Sequence, residues 1–264
     1  MTWVSGLLNF YKMSADLQIV PTADGSNTIY NSEVGENYHS RNGALQESQH
    51  VFLNSGLKYF IEESKNVSSA GQVGLERADM AAVSILEVGF GTGLNFLLTA
   101  DYCHIEHINL NYTGIEAYPL TLEMIGQTGY DKYVPHGLWQ SFINNYRVSL
   151  HVPVQINPNQ LQTANYQPQT TIALQTVHCK LENFQSAIQY DIIYFDAFAA
   201  ARQPEMWSDE AIAHTLQFLK PGGVFVTYAI TGNLKRAIKS HGLKVEKAPG
   251  APGKREMLRA IKPN

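Results

Sequence analysis

The sequence predicts an α/β protein: a mostly parallel sheet with helices on both faces, preceded by a small N-terminal cap. Short apolar runs such as AVSILEVGF and YDIIYFDAF alternate with stretches of helical spacing such as LNFLLTADYC and DEAIAHTLQFL, an order that right-handed crossovers turn into a parallel sheet. Glycine and proline clusters, as in GFGTG and LKPGG, punctuate the junctions. The chain has 264 residues, 44% of them hydrophobic, enough for one large core or a core plus a small extension. The cap is expected over residues 1–80 and the α/β body over 81–264.

Element by element, Met13 is followed by a polar and then an apolar stretch, so the first dozen residues read as a dispensable leader or an upstream start. MTWVSGLLNFYKM lacks the basic head and small-residue cleavage site of a secretory signal. TIYNSEVGENYHS reads as short strands and turns. From Gly43 to Glu63, Leu45, Ser48, Val51, Phe52, Ser55, Tyr59 and Phe60 recur at the spacing of an amphipathic helix. GQVGLERADM is a linker or hairpin. The body then reads as strand AVSILEVGF, helix LNFLLTADYC, strand INLNYTGIEA, helix PLTLEMIGQ and helix HGLWQSFINNY. The polar stretch from Arg147 to Gln169 suggests an extra antiparallel strand and a loop leading into strand TTIALQTVH. After strand YDIIYFDAF come helix DEAIAHTLQFL with a Lys-Pro-Gly-Gly stop, strand VFVTYAI, helix NLKRAIKSH, and terminal strands LKVEKA and EMLRAI.

No run approaches the roughly 18 consecutive apolar residues of a membrane span, and a soluble, cytoplasmic protein is expected. Cys103 and Cys179 are too few and too isolated for a disulfide framework or a metal cage. A net charge of −4 argues against a general nucleic-acid binder. The average hides an asymmetry: nine Lys/Arg against two Glu between Lys235 and Lys262 give this tail +7 and leave the remainder at −11. Such a tail is either a local phosphate-binding face or a solvated one.

In ILEVGFGTGLN the glycines fall at Gly89, Gly91 and Gly93. A dinucleotide fold wants G-x-G-x-x-G, with the third glycine one residue later. The run instead resembles E-x-G-x-G-x-G, the loop of class I methyltransferases that use S-adenosylmethionine, with Glu87 on the strand and Asn95 opening the helix. Glycines there let the backbone pass close to the adenosyl sugar and amino acid tail, and Glu87 adds a carboxylate beside a cationic ligand. Glu116, ending the next strand in TGIEAYPL, can accept both ribose hydroxyls or be a plain surface acid.

Four stretches carry a more specific likeness: NGALQESQHVFLNSGL, GFGTGLNF, DAFAAARQPEMW with LKPGGVFVTY, and GKREML. Over most of Thr28 to Ile261 the chain resembles the methyltransferase half of the bifunctional enzymes that finish 5-methylaminomethyl-2-thiouridine at the tRNA wobble position. The resemblance implies a Rossmann-like class I fold with a seven-stranded sheet, S-adenosyl-L-methionine as cofactor, and the tRNA anticodon stem-loop as partner. It also implies a methyltransferase without the fused oxidase, since the chain stops at Asn264. The chain departs from the family pattern twice. D-G-F-A-P becomes Asp196-Ala197-Phe198-Ala199-Ala200, and the Gly-Asp pair that meets adenine becomes Cys179-Lys180. A lysine ammonium cannot accept from the adenine amine, so adenine falls to backbone around Lys180 and Leu181, or to residues one or two positions away.

Asp196 stands at the carboxyl end of the fourth body strand, opposite the glycine loop, where ligands of open α/β sheets bind. It is expected to orient the acceptor amine and take its proton, the plainer alternative being a turn residue. Phe198 and Trp207 either flank a flipped-out pyrimidine or pack in the core. Arg202, Lys254 and Arg255 are candidates for phosphate contact. His39 and His50 can close over the site or be structural. Two other functions fit the same residues: a class I methyltransferase or aminopropyltransferase-like enzyme acting on a small amine, and a silent module that binds cofactor or RNA.

Overall fold

The computed structural model describes residues 17–69, 82–158 and 170–264. The run VSILEV, apolar but for Ser84 and Glu87 on opposite faces, forms the central strand β4 (Val83–Val88), buried at every position. It pairs in parallel with β5 (Leu110–Glu116) on one side and β8 (Tyr190–Phe195) on the other. Beyond β5 lie β7 (Ile172–His178), parallel, and the two-residue edge strand β6 (Val154–Gln155), antiparallel. Beyond β8 lie β9 (Leu219–Thr227), parallel, then β11 (Glu256–Ile261) and β10 (Lys244–Pro249), both pairings antiparallel. The sheet order is β10-β11-β9-β8-β4-β5-β7-β6. The expected seven strands are present, and β6 is the extra antiparallel strand expected after Arg147.

A second, three-stranded antiparallel sheet holds β1 (Leu17–Pro21), β2 (Asn27–Asn31) and β3 (Glu36–Asn37). Helix α1 follows without a break over 44–69, α-helical at Ala44–Glu47, π-helical at Ser48–Lys58 and α-helical again at Tyr59–Ser69. Its first amides are capped from the β1–β2 turn: Ala44 and Leu45 donate to Ser26 Oγ at 3.1 Å, and Gln46 donates to Asp24 Oδ2 at 2.9 Å. The face bearing Val51, Phe52 and Leu57 presses onto the main sheet, with the Phe52 and Tyr194 rings 5.2 Å apart. Gly56 permits this approach, because a Cβ there would stand 2.7 Å from the Tyr194 ring. The cap helix therefore shares the body's core. The expected boundary at residue 80, the linker GQVGLERADM and the leader ahead of Met13 lie outside the described residues.

The same face of the sheet carries α2 (Leu94–Ile105), α3 (Leu122–Gln127) and α4 (His136–Ser149), around an aromatic cluster of Phe90, Phe96, Phe142 and Tyr146. The opposite face carries α5 (Asp209–Leu216) and α6 (Gly232–Ser240) over Phe195, Phe225 and Leu258. Ser208 and Thr231 cap these two helices through their side chains. Two expectations need correction. Arg147 to Ser149 complete α4, and the Lys-Pro-Gly-Gly run belongs to β9, where the register with β8 shifts between Tyr190 and Ile192. The shift is a bulge that needs glycine: a Cβ on Gly223 would lie 2.8 Å from the Lys220 carbonyl oxygen and 2.9 Å from that of Asp191.

Candidate active site

The carboxyl ends of β4, β5 and β8 meet at one point, and the polar residues there are built around the glycine loop. Asp196 N–H donates to the Val88 carbonyl at 2.9 Å, fastening the end of β8 to the end of β4. Gly89, Gly91 and Gly93 all have positive φ, at 88°, 53° and 78°, a region that side chains disfavour. Their missing Cβ atoms make room for protein. At 89 a Cβ would strike the Asp196 carbonyl, at 91 it would lie 3.0 Å from the Tyr38 ring, and at 93 it would lie 2.8 Å from the Phe142 ring. These glycines let the loop close against β8, the cap and α4.

Asn95, in the first turn of α2, links two acids. Its Nδ2 donates to Glu87 Oε1 and to Asp196 Oδ2, each at 2.8 Å. Tyr112 from β5 donates to the other Glu87 oxygen at 2.8 Å. Glu87 is fully enclosed, with an exposure of 0%, and Asn95 connects its carboxyl to that of Asp196. Glu116 closes the loop from the other side, accepting from Gly91 N–H at 2.8 Å and Tyr118 N–H at 2.9 Å. Burial raises all three carboxyls. Glu87 goes well above the carboxylate range, Glu116 rises less, and Asp196 is pushed up to about 8 by burial and then by the charge of Glu47, opposed by the Asn95 hydrogen bond and by Lys254.

The loop that follows Asp196 joins a group of aromatic residues. Phe198 meets Tyr38 edge to face at 5.1 Å, and both are half-buried. Trp207 donates its indole N–H to the Phe198 carbonyl at 2.7 Å and packs edge-on against Phe195 and Tyr228. It braces the Phe198 loop from the core side. Ala199 N–H donates to Glu36 from β3 at 3.0 Å, and Arg202 is exposed at the rim, its guanidinium against Gly35.

The remaining candidates divide. Lys180 is exposed beside Glu182 at 3.9 Å, and Leu181 is buried in the core of the α5–α6 face. Only their backbone can serve a ligand beyond β7. Lys254 points inward, ion-paired with Glu47 at 2.6 Å, whereas Arg255 is exposed. His39 is buried and held neutral, its pKa drawn down to about 4 by burial, and His50 Nε2 lies 2.7 Å from the Pro249 carbonyl; neither faces Asp196 as a closing group. Sequence reasoning missed Tyr38, Glu36, Glu47, Tyr112 and Tyr228. Glu47 alone left a signal: it sits one turn from Ala44 and Val51 on the apolar face of its helix, where an acid is unexpected.

The donor set fits S-adenosyl-L-methionine. Asn95 Oδ1 is buried with no partner among the described residues, and the carboxylates of the half-buried residues Glu116 and Asp196 suit a ligand bearing a sulfonium, an ammonium and ribose hydroxyls.

Residues 139–263 match the family described as S-adenosyl-L-methionine-dependent methyltransferase. The structure resembles that of MNMC2 from Aquifex aeolicus with a TM-score of 0.64 and 18% identity, covering 94% of this chain and 72% of that one. The fold is that of class I S-adenosyl-L-methionine-dependent methyltransferases, and the family match covers just under half of the chain. Within that class it is similar to proteins named tRNA 5-methylaminomethyl-2-thiouridine biosynthesis bifunctional protein MnmC. It is 28% identical to the one from Magnetococcus marinus and 29% identical to the one from Cupriavidus necator, over 90% of this chain in each case. The chain spans about a third of the length of these relatives, 33% of each. Among the described residues, no helix is long and apolar enough to cross a membrane.

Proposed function

We propose that this chain methylates the aminomethyl nitrogen of 5-aminomethyl-2-thiouridine at the tRNA wobble position, in the cytoplasm, taking the anticodon stem-loop as its substrate. Residues 1–80 serve as a cap and 81–264 as the methyltransferase body. The observation that carries the reading is the Glu87–Asn95–Asp196 chain, which ends two residues before Phe198 and its edge-to-face contact with Tyr38. The likeness to proteins named for 5-methylaminomethyl-2-thiouridine biosynthesis supports the choice of nucleoside.

When bound, S-adenosyl-L-methionine supplies an electrophilic methyl group on a sulfonium. The chain's own residues do the rest. Glu116 accepts from the ribose hydroxyls, the backbone at Lys180 and Leu181 meets the adenine, and Asn95 Oδ1 takes an N–H from the amino acid tail. Phe198, with Tyr38 behind it, stacks on the extruded pyrimidine. Asp196 accepts the proton of the acceptor ammonium, freeing the lone pair for in-line attack. With its pKa at about 8, it takes that proton through its ionised fraction, which grows as pH rises from neutral. Arg202 and Arg255 reach for the phosphates around the base.

The test is incubation of hypomodified tRNA with the protein and methyl-labelled S-adenosyl-L-methionine, followed by mass spectrometry of the nucleosides. Label should appear in 5-methylaminomethyl-2-thiouridine. Label confined to free polyamines, or none in the wobble nucleoside, would overturn the proposal.

A further inference from the structure

Beside Asp196 lies a charged pair that the reaction above does not use. Glu47, on the first turn of α1, is 5% exposed. One of its oxygens accepts from Ser40 N–H at 2.8 Å and the other from Lys254 Nζ at 2.6 Å. The same ammonium sits 3.9 Å over the centre of the Tyr228 ring, and Tyr228 donates its hydroxyl to the carbonyl of Ala197, the residue after Asp196, at 2.9 Å. Lys254 is delivered by a tight turn between β10 and β11. Gly253 holds φ at 87° there, a Cβ on Gly250 would strike the Lys254 carbonyl, and Lys254 N–H donates to the Ala251 carbonyl at 2.8 Å. Three distant parts of the chain thus bring one cation and one anion to the edge of the reactive carboxylate.

A buried ion pair is weak support for a fold, because desolvation offsets most of its attraction and an apolar pair of similar volume often does as well. Its charges nevertheless act strongly on a neighbouring group in low dielectric. The groups around Asp196 are Glu47 from α1, Glu87 from β4 with Tyr112 from β5 behind it, Asn95 from α2, Tyr228 at the end of β9, Glu36 from β3, and Lys254. The acids and the enclosed site favour a protonated Asp196. Lys254 opposes them.

We propose that Glu47 and Lys254 are positioning residues for methyl transfer: Glu47 anchors the Lys254 ammonium over Tyr228, and from there Lys254 increases the share of Asp196 that is a carboxylate able to take the acceptor's proton. The inference rests on the role given to Asp196 above.

Its test uses the full chain and the variants Lys254→Met, Lys254→Arg, Glu47→Gln and the double variant Glu47→Gln/Lys254→Met. The carboxyl ¹³C resonance of Asp196, identified by its loss in Asp196→Asn, is titrated alongside single-turnover methylation of hypomodified tRNA. Lys254→Met should raise the Asp196 midpoint by about one pH unit and lower the rate about tenfold on the acidic side. Glu47→Gln should move the midpoint down, Lys254→Arg should leave it near the parent's, and the double variant should fall between the two single ones. Should Lys254→Met fail to fold, the Glu47→Gln and Lys254→Arg titrations carry the same decision. Unmoved Asp196 midpoints in folded Lys254→Met and Glu47→Gln would overturn the inference. An inactive parent whose Asp196 titration responds as expected would overturn the tRNA reading and leave the electrostatic one standing.

Discussion

Replacing Asp196 by asparagine should make the protein more stable and less active, and the stability gain should depend on pH in a calculable way. In the fold the Asp196 carboxyl is raised from 3.8 to about 8, first by burial and then by Glu47. Between those values the folded protein holds a proton that the unfolded chain has lost. Stability therefore falls as pH rises through that window. A shift of about four units corresponds to roughly 5 kcal/mol at its upper end, and relieving it in a chain of this size should raise Tm by roughly 10 °C. Asp196→Asn should thus melt like the parent near pH 4 and increasingly above it toward pH 8 and beyond, because the amide can still accept from Asn95 and has no charge to desolvate. Turnover should fall about 10²-fold, the scale for losing a positioned proton acceptor, with part of the loss recovered at alkaline pH. Melting curves at several pH values and single-turnover rates measure both. A variant destabilised equally at every pH would refute the reasoning and make Asp196 a turn residue.

Removal of the bridging amide, Asn95→Ala, leaves Glu87 with Tyr112 alone and Asp196 without its donor; it should cost about 2–3 kcal/mol in denaturant melts and weaken S-adenosylhomocysteine binding in calorimetry. Gly89→Ala should abolish folding or cofactor binding, because its Cβ meets the Asp196 carbonyl, whereas Gly126→Ala in α3, with no atom within 4 Å, should be neutral or stabilising by up to about 1 kcal/mol; equal effects would deny the close approach. Calorimetry should show S-adenosylhomocysteine binding, and tight NADH binding in its place would contradict the loop assignment. Arg255→Ala should lessen the log–log salt slope of tRNA binding by roughly 0.7–0.9, and adding Lys254→Ala should change that slope little further.

Much of the body was legible because its signals are local. The continuous apolar run of β4, the acid ending β5 and the strand-then-aspartate of β8 each state their place in a parallel sheet within ten residues or so. β1 escaped because LQIVP shows no alternation and ends in proline, so its pairing with β2 comes from the Thr22–Ser26 turn. The π-helical winding of Ser48–Lys58 has the same apolar face as an α-helix and no separate sequence cue. The glycines were seen for their spacing, but their partners, Asp196, Tyr38 and Phe142, lie far along the chain. Distance also hid the Glu47–Lys254 pair, whose members are 207 residues apart. The tail that reads as +7 is largely answered within the fold. Arg259 pairs with Glu246, Lys247 with Glu256, and Lys262 donates to the carbonyls of Leu216 and Leu219. What remains for phosphate is a smaller exposed set, Arg236 and Lys239 on α6 together with Arg255.

That redistribution of charge bears on how the site can be acidic at all. Burial sets Glu87, Glu116 and Asp196 against one another, and carboxylates at such spacing resist ionising together. The fold answers with one amide shared between two of them, two backbone N–H groups on the third, and a single lysine reached from the opposite end of the chain. None of these neutralises the set. A ligand carrying positive charge would complete it, and both proposed reactants do, a sulfonium and an ammonium. Once Asp196 has taken the ammonium's proton, the transfer moves the remaining positive charge from sulfur to nitrogen. An acidic site is thus suited to both ends of the reaction, and the same acidity that strains the fold between pH 4 and 8 is what the chemistry uses.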